Sequence, residues 1–226
     1  MTNSVFADWQ GIRNVFVPMH TIVTEGKKGT AWVKHFAAES VGSVQRLRSM
    51  MNGQLAPSKG EKYVALYTMN KHYTEILEMS DTPEERKTNM LFVKKAKGRV
   101  LIGGLGVGMV LEAILRKPEV THVTVVEANF DVMELVGPHV GKGHKRKLTI
   151  VPGDIFTWNP PEGAKYDTVY FDIWPHISSD NLEEMERLHK KFMPFRKSRG
   201  WMDSWQRGRC NQLASQEIKL LSPQSR

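Results

Sequence analysis

The sequence predicts an α/β fold, a parallel sheet with helices on both faces, and three observations carry that prediction. Strand-forming and helix-forming runs alternate from Val100 to Asp172, the pattern of successive βαβ units. A glycine-rich turn follows the first of these strands directly, in RVLIGGLGVGMVLEAIL from Arg99 to Leu115. Acidic residues then stand at the ends of later strand runs, at Glu127 and Asp172, and just beyond a third run at Asp154.

The elements follow in order. Ile12 to Thr24, IRNVFVPMHTIVT, is rich in β-branched and aromatic residues and predicts a strand that Pro18 breaks or confines to an edge. Thr30 to Met51 predicts a helix weakened by Gly42. Pro, Ser and Gly lie close together between Gly53 and Lys62 and set a boundary. It divides the chain into an N-terminal α+β element, residues 1–62, and a cofactor-binding domain, residues 63–226, which opens with a β-hairpin and ends in a basic, Trp-containing tail. The hairpin is YVALYTM and HYTEILEM, separated only by Asn70 and Lys71. Thr82, Pro83 and Glu85 then fit an N-cap, a first helical residue and the third member of a capping box, for a helix ending near Ala96.

Strands follow at Val100–Gly103, His122–Glu127, Leu148–Val151 and Tyr166–Asp172, with helices at Val107–Arg116 and Phe130–Val140. Right-handed connections between such units give a Rossmann-like sheet. Ser179 or Asp180 is placed to cap a further helix, whose Leu182, Met185, Leu188 and Phe192 keep helical spacing. No strand pattern stands out after Pro194, so the sheet is expected to be shortened after its fourth strand.

Composition narrows the function classes. The 226 residues are 40% hydrophobic and 25% charged, ordinary for a globular chain. One cysteine, Cys210, excludes an intramolecular disulfide framework and a thiolate zinc cluster, and no metal is expected. Met1 to Gln10 lacks the basic and apolar regions of a secretion signal, and no apolar run is long enough to span a bilayer; the expectation is a cytoplasmic protein without a membrane partner. A net charge of +8 raises the question of nucleic acid. The Gly141–Lys147 cluster leads into the third strand, at the end of the sheet away from the glycine turn. Only the C-terminal basic residues, with Trp201, Trp205, Arg207 and Arg209, are placed for such a partner, and it is not the favoured one. Those tail residues are equally placed to close the site or to dock on a neighbouring subunit. Residues 1–62 are a candidate dimerisation element, lid or partner-binding piece.

In open α/β sheets, ligands bind beyond the carboxyl ends of the strands, at the turn that starts a helix. Gly104, Gly106 and Gly108 form G-x-G-x-G there, while Met109 occupies the third glycine position of a dinucleotide fingerprint. Their missing side chains leave room for a nucleoside against the backbone. Glu127, about twenty residues further on, stands where an acid accepts hydrogen bonds from ribose hydroxyls. Asp154 and Ile155 bring a carboxylate and an apolar side chain to the same sheet edge. Asp172 and Trp174, in YFDIWP, are the candidate catalytic residues: an acid to orient or deprotonate an acceptor, and an aromatic wall against a cation.

Taken together, Gly104–Gly108, Glu127, Gly153-Asp154-Ile155 and Asp172 resemble the class I S-adenosylmethionine-dependent methyltransferase fold. Within it, RVLIGGLGVGMVLEAILRKPEVTHVTVVE is most similar to the spermidine synthase group, and the chain also resembles phage and bacterial proteins described as methyltransferases that carry similar MSDTP, GLGxGM and DIWP segments. The resemblance spans Tyr63 to Phe192. It implies that the glycines back the sulfonium and methionine portion of S-adenosylmethionine, that Glu127 holds the ribose, that Asp154 and Ile155 contact adenine, and that Asp172 faces the reacting centre. The acceptor implied is a small molecule, and methyl transfer is the expected reaction. Aminopropyl transfer from decarboxylated S-adenosylmethionine, donor cleavage by water and a catalytically silent adenosyl-binding module are the alternatives. Two departures stand out: the acid that methyltransferases carry near the end of the first strand is replaced by Ile102 or Gly103, and the acid of the spermidine synthase glycine loop by Val107.

Overall fold

A computed structural model describes residues 11–12, 14–40, 42 and 54–221. It contains two sheets. The smaller is antiparallel, in the order β1 (Gly26–Lys28), β2 (Ala31–Ala37), β3 (Lys62–Met69) and β4 (Glu75–Ser80). The larger is formed by β5 (Gly98–Gly103), β6 (Val120–Glu127), β7 (Leu148–Pro152), β8 (Tyr166–Phe171) and β9 (Arg196–Ser204), all parallel, in the order β7-β6-β5-β8-β9. Five helices accompany them among the described residues: α1 (Pro83–Lys95), α2 (Met109–Leu115), α3 (Phe130–Val136), α4 (Asn181–Phe192) and α5 (Arg207–Leu221).

Alternation along the central strands builds the two faces of the large sheet. Val100 and Ile102 of β5, Val123 and Val125 of β6 and Tyr170 of β8 point into one core, shared with α1, α2, α3 and the small sheet. Leu101, Val126, Val169 and Phe171 point into the other, against Met185, Leu188 and Phe192 of α4. The second core is also roofed by the β7–β8 connection, which carries Ile155, Trp158 and Ala164 across it without a helix.

Four expectations are corrected. The stretch from Ile12 to Thr24 is not a strand: residues 11–12 and 14–15 are helical and Met19–Thr21 is a 3₁₀ turn entered from Pro18. Thr30 to Met51 does not begin as a helix, since Ala31–Ala37 is β2 and Ala38–Ser40 a 3₁₀ turn; residues 41 and 43–51 lie outside the described residues. Seven consecutive residues of β2 pair with β3, and that ladder overrides a helical propensity that was only moderate. This pairing runs across the Lys62/Tyr63 boundary. Third, the sheet is not shortened after its fourth strand. β9 pairs in parallel with β8 and reads poorly as a strand because it is an edge whose first half is mostly exposed. Fourth, the Thr82–Glu85 capping box is absent: the Thr82 side chain makes no cap bond and its hydroxyl meets Ser80 Oγ at 3.0 Å. Asp180 likewise stands at the start of α4 without a side-chain cap bond.

The described part of the tail forms β9 and α5, and none of its described residues lines the cleft. Trp201 stacks on Phe92 and Tyr170, and Trp205 Nε1 donates to Thr88 Oγ1 at 3.1 Å, so both tryptophans pack against α1. The Lys142–Lys147 turn leads into the start of β7 and so lies at the amino edge of the sheet.

Candidate functional site

The chain leaves β5 for β6 and β7 on one side, then returns to β8 on the other, which puts the topological switch point between β5 and β8. Three backbone bonds prolong the ladder past the strand ends there: Gly104 N–H to Val126 O at 2.9 Å, Asp172 N–H to Gly103 O at 2.9 Å and Gly153 N–H to Glu127 O at 2.9 Å. The loops after β5, β6, β7 and β8 are thereby held at one edge, around a cleft of about 300 Å³. That volume is at the lower end for small-molecule sites, roughly 300–1,000 Å³.

Gly104 has φ +96° and packs so closely on the loop after β8 that a Cβ would overlap the Asp172 carbonyl oxygen. Gly106 has φ +52°, and the space of its missing side chain is filled by Met79 Sδ from β4. Both conformations are open to glycine at little strain. Both residues line the cleft; Gly108 does not, and Val140 occupies the space beside it where α2 begins.

Glu127 ends β6 with its carboxylate inside the cleft, where Oε2 accepts from Leu105 N–H at 2.7 Å and Oε1 from Asn129 N–H at 2.8 Å. A carboxylate has about four lone-pair sites, so capacity remains for a ribose hydroxyl. Burial pushes this carboxyl up and the charge of Glu78 adds to that, while backbone amide bonds from Asn129, Leu105 and Ala128 pull it down. Asp154 accepts from Phe156 N–H at 2.8 Å through Oδ1. Ile155 is buried, packs over Gly103 and lines the cleft beside Asp154.

Asp172 and Trp174 lie on the far wall. Burial pushes the Asp172 carboxyl up to about 7, and its Oδ2 has no hydrogen-bond partner among the described residues. Glu85, in the first turn of α1, interacts electrostatically with it and is pushed up to about 8 by burial and by the charges of Asp172 and Glu84. Trp174 is buried, its Nε1 donating to Glu184 Oε2 at 2.8 Å, which fixes the indole as a wall.

The structure thus gathers Gly104, Gly106, Glu127, Asp154, Ile155, Asp172 and Trp174 around one cleft and leaves Gly108 outside it. Sequence reasoning missed the roof, where Thr68, Glu78 and Met79 of the hairpin line the same space. It also missed Glu85, because an acid at the third position of a helix reads as a cap. Four carboxylates line the cleft, Glu78, Glu127, Asp154 and Asp172, and among the described residues no Lys, Arg or His does. The lining of the cleft is thus acidic in a chain whose net charge is +8.

Fold and site together define a Rossmann-like α/β protein with an acidic cleft at the switch point. No family profile matches the sequence, and no curated protein matches it. Among solved structures, the chain is similar to the mitomycin 7-O-methyltransferase MmcR, with a TM-score of 0.40 and 17% identity over 50% of this chain and 33% of that one. It is similar to the CcbJ methyltransferase from Streptomyces caelestis, with a TM-score of 0.40 and 18% identity over 51% and 46%. It is also similar to the glycopeptide N-methyltransferase MtfA complexed with S-adenosyl-L-methionine, with a TM-score of 0.40 and 16% identity over 51% and 48%. The chain therefore spans half or less of the length of these structures. No described helix is long and apolar enough to cross a membrane.

Proposed function

We propose that this chain is an S-adenosylmethionine-dependent transferase that moves a methyl group to a small-molecule acceptor. The supporting observation is the lining of the cleft: a ribose-type acid, an adenine-type acid and apolar pair, and an acceptor-side acid converge on a glycine turn, with carboxylates and no basic side chain among the described lining residues. Such a lining disfavours phosphate-bearing nucleotides and suits a nucleoside that carries positive charge. The buried, unpartnered Asp172 Oδ2 is a polar atom for which a bound molecule is the missing partner.

The donor, when bound, supplies a carbon already activated by its sulfonium. The protein's part is alignment and proton handling. Glu127 accepts the ribose hydroxyls, its position fixed by the amides of Leu105 and Asn129. Asp154 offers the remaining carboxylate oxygen to the adenine amino group while Ile155 packs on the base. Asp172 orients the acceptor and takes its proton, and Trp174 presents an aromatic wall to the developing charge. An Asp172 carboxyl at about 7 is ionised only above that pH, so turnover is expected to rise with pH through about 7.

A second reading, aminopropyl transfer from the decarboxylated donor, is favoured by the lack of a basic side chain, among the described lining residues, to receive the donor's carboxylate. Calorimetric titration with S-adenosylmethionine, against NADH as comparator, tests the donor. Micromolar binding is expected, weakened at least tenfold in Glu127→Ala; binding of NADH instead would overturn the reading. Product analysis then separates the reactions, S-adenosylhomocysteine marking methyl transfer and 5′-methylthioadenosine from the decarboxylated donor marking aminopropyl transfer. Donor binding without turnover across acceptors would mark a binding module.

A further inference from the structure

The resemblance leaves one gap in the donor site. The amino-acid tail of the donor carries an ammonium group, and the positions where an acid was expected for it hold Ile102, Gly103 and Val107, all buried and none acidic. The hairpin over the cleft supplies an acid from another direction.

Along β4, Ile76 pairs with Thr68 and Leu77 with Tyr67, but the next pairing is Met79 with Leu66, so the register shifts between Leu66 and Tyr67 and Glu78 is the extra residue of a β-bulge. Regular alternation would place Glu78 and Met79 on opposite faces. Alternation past Leu77, which remains exposed on the outer side, brings Glu78 to the cleft face with Ile76, and the bulge turns Met79 to the same face, so both line the cleft. Bulges re-aim side chains in this way beside functional sites. Thr68, also a lining residue, donates its hydroxyl to Glu78 Oε1 and fixes the carboxylate. Met79 packs over Gly106, which ties this strand to the glycine turn. The charge of Glu78 reaches Glu127 and helps push that carboxyl up. Two interacting carboxylates facing a cleft with no basic lining residue among those described are relieved by a cation from outside the protein.

We propose that Glu78, presented on the cleft face of β4 and held there by Thr68, binds the ammonium group of the donor's amino-acid tail, so that the hairpin completes the donor site. This rests on the donor reading above. The glycine turn then provides backing and the small sheet provides the charge.

The test compares S-adenosylhomocysteine, a neutral thioether that carries the amino-acid tail, with 5′-methylthioadenosine, which keeps the nucleoside and thioether but lacks that tail. Calorimetry on the full chain and on Glu78→Gln, of nearly equal size, reads both ligands. A charge-assisted hydrogen bond of typical strength predicts that Glu78→Gln weakens S-adenosylhomocysteine roughly ten- to hundredfold and leaves 5′-methylthioadenosine unchanged. Equal weakening of both ligands, or of neither, overturns the inference. Thr68→Val, which releases the carboxylate without removing its charge, is expected to give a smaller loss for S-adenosylhomocysteine alone, and provides the same discrimination if Glu78→Gln does not fold. If the unaltered chain binds neither ligand, the donor reading itself fails, an outcome distinct from selective failure at Glu78.

Discussion

Asp172 carries two demands that oppose each other. An ordinary aspartate releases its proton near 3.8, whereas burial holds this one to about 7. Between those values the folded state binds a proton that the unfolded state has lost, so stability falls as pH rises through that window and levels off above about 7. At 1.4 kcal/mol per pH unit the penalty at pH 8 is at most about 4 kcal/mol. Asp172→Asn is therefore expected to unfold at higher urea than the unaltered chain at pH 8, with the advantage vanishing toward pH 4. If Asp172 is the proton acceptor, the same substitution lowers turnover by about 10²–10⁴-fold. A urea series at the two pH values and a steady-state assay check the two halves separately. Glu85, pushed up to about 8, adds a second penalty of the same sign in the same region.

The organising element of the site is α4. Its apolar residues Met185, Leu188 and Phe192 lie in the second core. From its polar positions it reaches both cleft loops. Lys191 Nζ donates to the carbonyl oxygens of Ile155, Phe156 and Trp158, at 3.3, 2.8 and 2.6 Å, which pins the loop carrying Asp154 and Ile155. Glu184 holds Trp174, and Asn181 Nδ2 donates to the His176 carbonyl at 2.8 Å in the loop after β8. Lys191→Met keeps the aliphatic stem and removes the three donors, so it is expected to weaken donor binding about tenfold with a smaller effect on kcat at saturating donor, by the loss of preorganisation. Titration and a donor-dependence of rate give the KM-against-kcat split. The helical spacing of α4 is legible in the sequence. Its tethers are not, because Lys191 reads as one charge in a solvated run.

For the molecule as a whole, Asp81 is the junction. Its buried carboxylate accepts from Met19 N–H at 2.9 Å, Val64 N–H at 2.6 Å and Arg86 Nη2 at 3.0 Å, joining the N-terminal turn, β3 and α1. Arg86 is itself buried over the Tyr63 ring. Asp81→Ala leaves that guanidinium without its charge partner, and a loss of about 3–5 kcal/mol is expected from urea unfolding. The hairpin bearing Glu78 is anchored through this junction. Substitution at Asp81 is thus expected to disturb donor binding although it lies outside the cleft lining.

The sequence by itself determined the parallel core and most of the residues that line the cleft edge. Apolar residues buried on both faces, glycines at the first turn and acids at strand ends are local signals, each set by backbone geometry within a few residues. Glu127, Asp154, Ile155, Asp172 and Trp174 were found that way. Tertiary structure decided the rest. Ala31–Ala37 became a strand because β3 was there to pair with it. Arg196–Ser204 became the edge strand β9 beside β8 with little apolar patterning of its own. Gly108 lies against Val140 and does not line the cleft. Glu78 reached the cleft because the hairpin packs over it, and Glu85 came to act on Asp172 through burial, two properties that depend on residues distant in the chain and leave no mark on the residues themselves.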